Sequence, residues 1–220
     1  TSLKGYNRPF YIPLSRVNPL QRSSIFPEPL ADDTWKSEHQ QEYERLWGQF
    51  EAECQARQLQ KLEHPQLYLE NLLALLQDFT ASIPSGAWQG VPDVSLYDHS
   101  RTTAAIAACL AADQRSSDWC KQAKTSGQAI CYLVGADLSG LQPFIYTLAS
   151  SGAAKSLRAR SFYVQMVTEA IADHVLETLE LPITALLYAG GGGFQLLVPI
   201  AAQESLNRLV QDIADRLLVL

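Results

Sequence analysis

Four consecutive glycines, Gly190 to Gly193, stand between two short apolar runs in LLYAGGGGFQLLVP, residues 186–199. Glycine is required where the backbone φ is positive or where another group must come close to the backbone. A tight hairpin turn needs only one or two glycines. Two interpretations therefore stay open: a wide or bulged hairpin, or a turn that packs against a nucleotide base or phosphate. The run matches neither the P-loop pattern nor the glycine fingerprint of dinucleotide-binding folds.

An aspartate follows a buried-strand pattern in the stretch GADLSGLQPFIY. Asp137 stands at the end of that strand, close to Ser139 and Gly140. Ligands of α/β folds collect at the carboxyl ends of strands, so Asp137 could bind a divalent metal. It could also cap the following helix by accepting backbone N–H groups, and the pattern alone favours the cap.

Three basic residues, Lys155, Arg158 and Arg160, open a predicted helix in the stretch KSLRARSF. The helix dipole disfavours cations at a helix N-terminus. This placement therefore indicates an anionic partner such as a phosphate group. The alternative is a solvated basic face that is balanced by nearby carboxylates.

His99 follows Asp98 at the start of a helix of small residues in SLYDHSRTTAAIAACLA. An imidazole and a carboxylate are both metal-binding groups, but a single histidine in a sequence is more often structural. The pair alone is therefore a weak indication of a metal site.

These residues must be positioned by elements that the apolar periodicity predicts. Helical periodicity occurs in five long segments: residues 34–62, 65–82, 95–112, 154–180 and 204–220. Strand patterns cover residues 129–137, 183–189 and 194–199, and a short helix is predicted at 140–149. The second half is therefore β-α-β-β-α, which is typical of a ferredoxin-like fold. The chain as a whole is predicted to be α+β.

Two predicted helices have a clear apolar face. Residues 65–82 place these side chains on one face: Leu69, Leu72, Leu73, Leu76 and Phe79. The long helix at 154–180 places these on one face: Val164, Val167, Ile171, Val175 and Thr178. Outside the helices, residues 1–33 are proline-rich and predicted to be extended. The polar residues 113–128 are predicted to form a linker.

Composition limits the function classes. The chain has 220 residues, a net charge of -6 and 47% hydrophobic residues, which is typical of a globular protein. Net acidity argues against a general coating of nucleic acid but not against a local basic site. No apolar run reaches the roughly 18 residues of a membrane span, and no signal pattern opens the chain, so a cytoplasmic protein is expected. The four cysteines include no C-x-x-C pair, so neither a zinc site nor a disulfide framework is expected. Three of the four lie in apolar runs and are predicted to be small core residues.

Three longer stretches together resemble one family. VPDVSLYDHSRTTAAIAACL, GADLSGLQPFIYTLASSGAAKSLRARSFYVQ and LLYAGGGGFQLLVP are similar to the large subunit of type III CRISPR effector complexes, of the Csm kind. The resemblance covers residues 69–220 and is weak before them. In that family a circularly permuted HD nuclease domain precedes two palm domains of polymerase and nucleotidyl-cyclase type. The resemblance implies that residues 34–112 are a helical HD-related region and that residues 129–220 are the first palm.

The resemblance also implies two activities for the complete subunit. Target RNA bound to the guide RNA complex activates cleavage of single-stranded DNA at the HD site. It also activates the conversion of ATP, with Mg²⁺ or Mn²⁺, to cyclic oligoadenylates by the two palms. Expected partners are therefore guide RNA, target RNA, other effector subunits and single-stranded DNA, with no membrane.

The chain departs from the family pattern at both sites. The turn of the second palm carries Gly-Gly-Asp-Asp in the family, whereas the corresponding turn here has four glycines. A turn without carboxylates cannot hold the metal pair that phosphoryl transfer needs, so a degenerate, GGDEF-related palm is expected and a self-standing cyclase is not. The resemblance then implies an ATP-binding half-site formed by these residues: Asp137, Ser139, Gly140, Lys155, Arg158, Arg160, Gly190, Gly191, Gly192 and Gly193.

At the HD site, His99 and, less clearly, Asp98 match the metal-binding residues that head the last helix of the family's domain. No His-Asp dipeptide is present in the chain, and one histidine cannot hold a metal pair, so metal binding and nuclease activity are doubtful. The apolar end LLVL suggests part of a longer subunit. The chain alone is expected to be inactive. The alternative is an inert scaffold that docks guide-RNA-binding and small subunits.

Overall fold

The structure is a computed structural model, and it describes residues 10–11, 14–18, 20, 28–29, 35–59, 63–85, 94–112, 127, 129–146 and 153–217. The chain consists of two compact units, Thr1–Ser100 and Arg101–Leu220. Except for residue 127, the predicted linker 113–128 lies outside the described residues, as does most of the proline-rich segment 1–33.

The first unit is mainly helical. Its elements are β1 (Phe10–Tyr11), β2 (Glu28–Pro29), α1 (Trp35–Ala56), α2 (Pro65–Thr80) and the start of α3 (Leu96–Ala112), which continues into the second unit. The two short strands pair antiparallel. Proline at the first position of α2 lacks the N–H that would be unpaired there.

The core of the first unit lies between α1 and α2. Four side chains are buried in it: Leu46, Leu59, Leu75 and Phe79. The predicted face of α2 did not include Leu75, and of its members Phe79 is buried whereas the four leucines are only half-buried. Leu75 and Phe79 are four residues apart and so lie on the same helix face.

Arg16 joins the N-terminal segment to both helices of the first unit. Its guanidinium donates to Glu53 Oε1 at 2.9 Å and to Asp78 Oδ2 at 3.0 Å. The Val17 N–H also donates to the Asp78 carbonyl at 2.8 Å. The hydrogen bond to the Asp78 carboxylate is the main cause that raises the pKa of Arg16.

The second unit contains a three-stranded sheet with helices on both faces. Its elements are β3 (Cys131–Asp137), α4 (Leu141–Tyr146), α5 (Ala153–Thr178), β4 (Leu186–Gly190), β5 (Gly193–Pro199) and α6 (Gln203–Leu217). The helices α5 and α6 lie on one face of the sheet, and part of α3 lies on the other. The strand order is β3-β5-β4, and the central β5 is antiparallel to both neighbours. The predicted α+β layout and the β-α-β-β-α order are therefore confirmed.

The sheet face that α5 and α6 cover holds the larger core. These buried residues form it: Ala172, Val175, Leu176, Leu181, Ala185, Phe194, Leu196, Val198 and Leu209. The predicted apolar face of α5 was partly wrong. Thr168 and Ala172 are fully buried, whereas the predicted Val167 is only half-buried and the predicted Thr178 is exposed. Thr168 is stable in this position because its hydroxyl donates to the Val164 carbonyl at 2.8 Å.

None of the helices in the described parts of the chain is both long enough and apolar enough to cross a membrane. The same described residues contain several exposed aromatic side chains.

Candidate functional site

The glycine run forms a two-residue hairpin turn. Gly191 and Gly192 have φ values of 63° and 92°, and they join the antiparallel strands β4 and β5. Positive φ at both central positions is the geometry of a type I′ turn, which glycine adopts without steric strain. The predicted hairpin is confirmed, but its turn is a tight one and not the wide or bulged turn that the sequence suggested. The turn itself accounts for two of the four glycines.

The two outer glycines lie in the strands and pair with each other. A Cβ atom on Gly193 would lie 3.0 Å from the Ala136 carbonyl oxygen and 3.4 Å from Asp137 Oδ1. A Cβ atom on Gly190 would lie 2.9 Å from Tyr188 Oη. Each outer glycine therefore has a neighbouring group in the space that a side chain would occupy.

The loop after β3 folds directly onto the turn. The Leu138 N–H donates to the Gly192 carbonyl at 2.9 Å, and the Leu141 side chain fills the space beside the Gly192 Cα. Gly140 has a φ of 76°, which allows the chain to turn into α4. The structure therefore brings the predicted residues Asp137, Ser139 and Gly140 to the hairpin turn.

Asp137 is exposed at the end of β3, and its Cα partner in β5 is Gly193. Among the described residues, its carboxylate makes no hydrogen bond to the N–H groups at the start of α4. The structure therefore does not show the helix-cap arrangement that the sequence pattern favoured. The carboxylate faces the backbone of the glycine strand instead.

The basic start of α5 lies at the same edge of the sheet. The C-terminal end of α5 leads into β4, and β4 ends at the turn, so a helix packed along β4 has its N-terminal end on the turn side. Arg160 confirms this location, because its Nη1 donates to the carbonyl of Phe144 in α4 and its guanidinium lies 5.4 Å from the Phe144 ring centroid. Arg160 therefore holds α5 against α4.

Lys155 and Arg158 are exposed on the first turns of α5. Within the described part of the chain, neither side chain forms an ion pair. The carboxylates of α5 lie in its C-terminal half, at Glu169, Asp173 and Glu177, so the two ends of the helix carry opposite charge. This distribution opposes the helix dipole and leaves a positive end that suits a phosphate.

The predicted metal residues have a structural partner at the start of α3. Asp98 accepts a hydrogen bond from Ser95 Oγ at 2.7 Å, and the Asp98 N–H donates to the same oxygen at 3.0 Å. This reciprocal pair caps the helix. His99 is exposed in the same turn. In the described residues, no group of three or more His, Cys, Asp or Glu side chains could hold a metal ion, so the metal role of His99 and Asp98 stays a prediction.

Three positions near the turn were missed by reasoning from the sequence. Gly135, Tyr188 and Gln195 are exposed on the sheet face that also carries Asp137. Strand alternation could have found Gly135 and Gln195, because each is two residues from a predicted site residue in its strand. Tyr188 could not be found in this way, because the register shifts between Leu186 and Tyr188.

The chain is similar to one protein family in three comparisons. A family model described as Csm1 subunit domain B matches residues 130–219. A subtype III-A Cas10/Csm1 CRISPR single-strand-specific deoxyribonuclease of Methanocaldococcus jannaschii is 34% identical over an alignment of 199 residues, and the alignment covers 79% of this chain and 24% of the relative. The Mycobacterium tuberculosis relative of the same name is 39% identical over an alignment of 168 residues, and the alignment covers 71% of this chain and 21% of the relative.

Solved structures have the same fold. A Csm1–Csm4 cassette in complex with cA4 matches with a TM-score of 0.66 and 22% identity, over 92% of this chain and 26% of the solved chain. A Csm1–Csm4 cassette in complex with one ATP matches with a TM-score of 0.64 and 23% identity, over 92% of this chain and 25% of the solved chain. The chain spans about a quarter of the length of the proteins that it matches.

Proposed function

This chain belongs to the Cas10/Csm1 family, and on that premise we propose that residues 129–220 are the first palm and provide half of an ATP-binding site for cyclic oligoadenylate synthesis. The observation that carries the proposal is the convergence of three groups at one sheet edge. These groups are the exposed Asp137, the diglycine turn of Gly191 and Gly192, and the basic start of α5.

Each group has a separate role in the proposal. Lys155 and Arg158 attract the triphosphate of ATP, because they are exposed cations with no acidic side chain in the same half of the helix. Gly191 has open space beside its Cα, so a nucleotide can approach the bare backbone of the turn at this residue. Solved structures of this fold are complexes with ATP, AMPPNP and cA4, which supports the proposal that this chain binds a nucleotide.

Mg²⁺ or Mn²⁺ fits the site as a partner of ATP rather than as an ion held by the protein alone. Mg²⁺ usually keeps several waters and is held by one or two carboxylates together with substrate phosphates. Asp137 is one such carboxylate, and the turn adds none. When bound, the ion would neutralise phosphate charge at the palm edge. The acids for phosphoryl transfer would come from the second palm of the complete subunit.

The rest of the chain is assigned by the same premise. We place residues 34–112 in the HD-related region of a subunit whose relatives are named single-strand-specific deoxyribonucleases. We expect the complete subunit to work in the cytoplasm with guide RNA, target RNA and single-stranded DNA. Its fold neighbours are Csm1–Csm4 cassettes, which favours a Csm4-type subunit as a partner.

ATP binding by the 220-residue chain tests the half-site. Isothermal titration with ATP and Mg²⁺ should show binding that the double variant K155A/R158A weakens by about tenfold, since two charge-assisted contacts are lost. The control R208A/R216A removes the same charge from α6 and should bind as the wild type does. Product analysis should find no cyclic oligoadenylate.

Two results would contradict the half-site. The first is the absence of ATP binding by the wild-type chain, and the second is cyclic oligoadenylate made without a second palm. A chain that binds a Csm4-type subunit but no nucleotide would favour the scaffold, the second candidate function, which the solved cassettes also support.

A further inference from the structure

The sheet of the second unit has an open face beside the proposed site. Near the start of β3 this face is covered by α3, because Ala105 and Cys109 pack on Cys131, Leu187 and Leu197. Towards the hairpin turn no such cover is described. Leu133 is 65% exposed and Tyr188 is 56% exposed there.

A β-bulge places Tyr188 on the open face. Leu186 packs into the helix-side core, whereas Leu187 packs on the opposite face with Leu197. Tyr188 pairs with Gln195 across the strands, so it shares the open face with Leu187. In a regular strand Leu186 and Tyr188 would share one face. The extra residue of the bulge therefore turns Tyr188 away from the core.

Gly135, Gln195 and Tyr188 form one row across the three strands. Gly135 pairs with Gln195, and Gln195 pairs with Tyr188. A Cβ atom on Gly135 would meet no heavy atom within 4 Å, so the space above this strand is open. Gln195 is two residues from Gly193, which is about 7 Å along the strand.

The Tyr188 ring lies along its own strand towards the turn. Its Oη and Cζ atoms lie 2.9 and 3.3 Å from the position of a Cβ atom on Gly190. The glycine at this position therefore gives the aromatic ring room to lie over the backbone. The ring presents a flat face next to the proposed phosphate site, and flat aromatic faces stack on nucleobases.

Gln195 has the hydrogen-bonding groups that distinguish adenine from guanine. Its amide is exposed and makes no hydrogen bond to any other described residue. A glutamine amide offers a donor and an acceptor together, and this pair matches the N6 amino group and the N7 atom of adenine. On the same edge guanine offers two acceptors, O6 and N7, so one group of the amide would be left unpaired.

We propose that Gln195 and Tyr188 form the base-recognition part of the nucleotide site, with Gln195 selecting adenine and Tyr188 stacking on the base. This inference rests on the proposed ATP half-site and names its specificity-determining residues. The base would lie on the row of Gly135, and the phosphates would extend towards Asp137 and the start of α5.

Binding of ATP and GTP to the full 220-residue chain tests this assignment by isothermal titration. Q195A should weaken ATP binding by about tenfold and change GTP binding little, so the preference for ATP falls towards unity. Q195K should lower the ratio of ATP to GTP affinity further, because a lysine ammonium donates to both O6 and N7 of guanine. The control Q211A, an exposed glutamine on α6, should leave both affinities unchanged.

Changes of Tyr188 should affect the binding of ATP and of GTP alike. Y188A should weaken ATP and GTP by the same factor, about tenfold, because stacking does not depend on the identity of the base. Y188F keeps the ring and should restore most of the binding. Circular dichroism and urea unfolding confirm that each variant is folded.

The outcomes separate this inference from the proposed function. Suppose that the wild-type chain binds ATP and that K155A/R158A weakens this binding, whereas Q195A and Y188A do not. The half-site then stands, and the base-recognition assignment is wrong. An unchanged ratio of ATP to GTP affinity in both Q195A and Q195K also overturns it. If the wild-type chain binds neither nucleotide, both proposals fail.

Discussion

The Cys109 side chain packs α3 against the sheet of the second unit. It is fully buried beside Ala105 and Leu197, and Cys131 packs against the same cluster. Burial raises the pKa of the Cys109 thiol to about 11, and the neighbouring Cys131 thiol adds to the shift. Because a protonated thiol is a poor nucleophile, Cys109 is a core residue and not a reactive one. The composition of its segment predicted this role.

The raised pKa of Cys109 predicts a loss of stability at high pH. The thiol titrates near 9.0 when unperturbed and at about 11 in the folded chain. Between these values the unfolded chain binds fewer protons than the folded chain, so the free energy of unfolding falls as pH rises. We expect this group to contribute a loss on the order of 2 kcal/mol, measured by urea unfolding at pH 8 and pH 10.5.

C109A should remove this part of the pH dependence, because alanine has no proton to lose. C54A is the matched control, since Cys54 is a half-buried thiol of the first unit. In C54A the free energy of unfolding should depend on pH as it does in the wild type. If the free energy of unfolding depends on pH equally in the wild type and in C109A, the Cys109 thiol does not titrate as described.

At the scale of elements, the sequence predicted the hairpin, the strands and the helices of the second unit because apolar periodicity and glycine are local signals. It did not predict the bulge in β4, because Leu187 and Tyr188 can each occupy either face of a strand. It also missed the burial of Thr168, since a hydroxyl can be buried only when its hydrogen bond to the preceding turn of the helix is counted. These features depend on packing between elements and not on the local pattern.

The hairpin turn predicts different tolerance at its two glycines. Gly191 has a φ of 63° with open space around it, so G191N should change stability little, because asparagine accepts the left-handed region. G191V should cost about 1–2 kcal/mol, because a β-branched residue does not. Urea unfolding measures both, and equal stability of G191N and G191V would contradict the type I′ turn.

Gly192 adds a packing constraint to the same prediction. A Cβ atom there would lie 2.1 Å from Leu141 Cδ1, so G192A should destabilise the hairpin through both the positive φ and this overlap. The double variant G192A/L141A should be more stable than the sum of the two single changes predicts. The double-mutant cycle isolates that coupling.

At the scale of the whole molecule, each unit has its own buried core. The core of the first unit contains Leu75 and Phe79, and the larger core of the second unit contains Leu196 and Val198. Every residue of the proposed nucleotide site belongs to the second unit. The family resemblance predicted most of that site because its motifs are contiguous in sequence. It could not predict the contact of Arg160 with the end of α4, which depends on how the two helices pack.

Because the two units have separate cores, we predict that the second unit binds the nucleotide without the first unit. The fragment 101–220 keeps the complete larger core and all proposed site residues, so we expect it to fold and to bind ATP with the affinity of the 220-residue chain, within about twofold. Calorimetry of the whole chain should show two unfolding transitions, because two separate cores need not unfold together. ATP should raise the melting temperature of the transition that the fragment reproduces and leave the other unchanged. If the folded fragment fails to bind ATP while the whole chain binds it, residues 1–100 contribute to the site, and the assignment of the site to one palm is wrong.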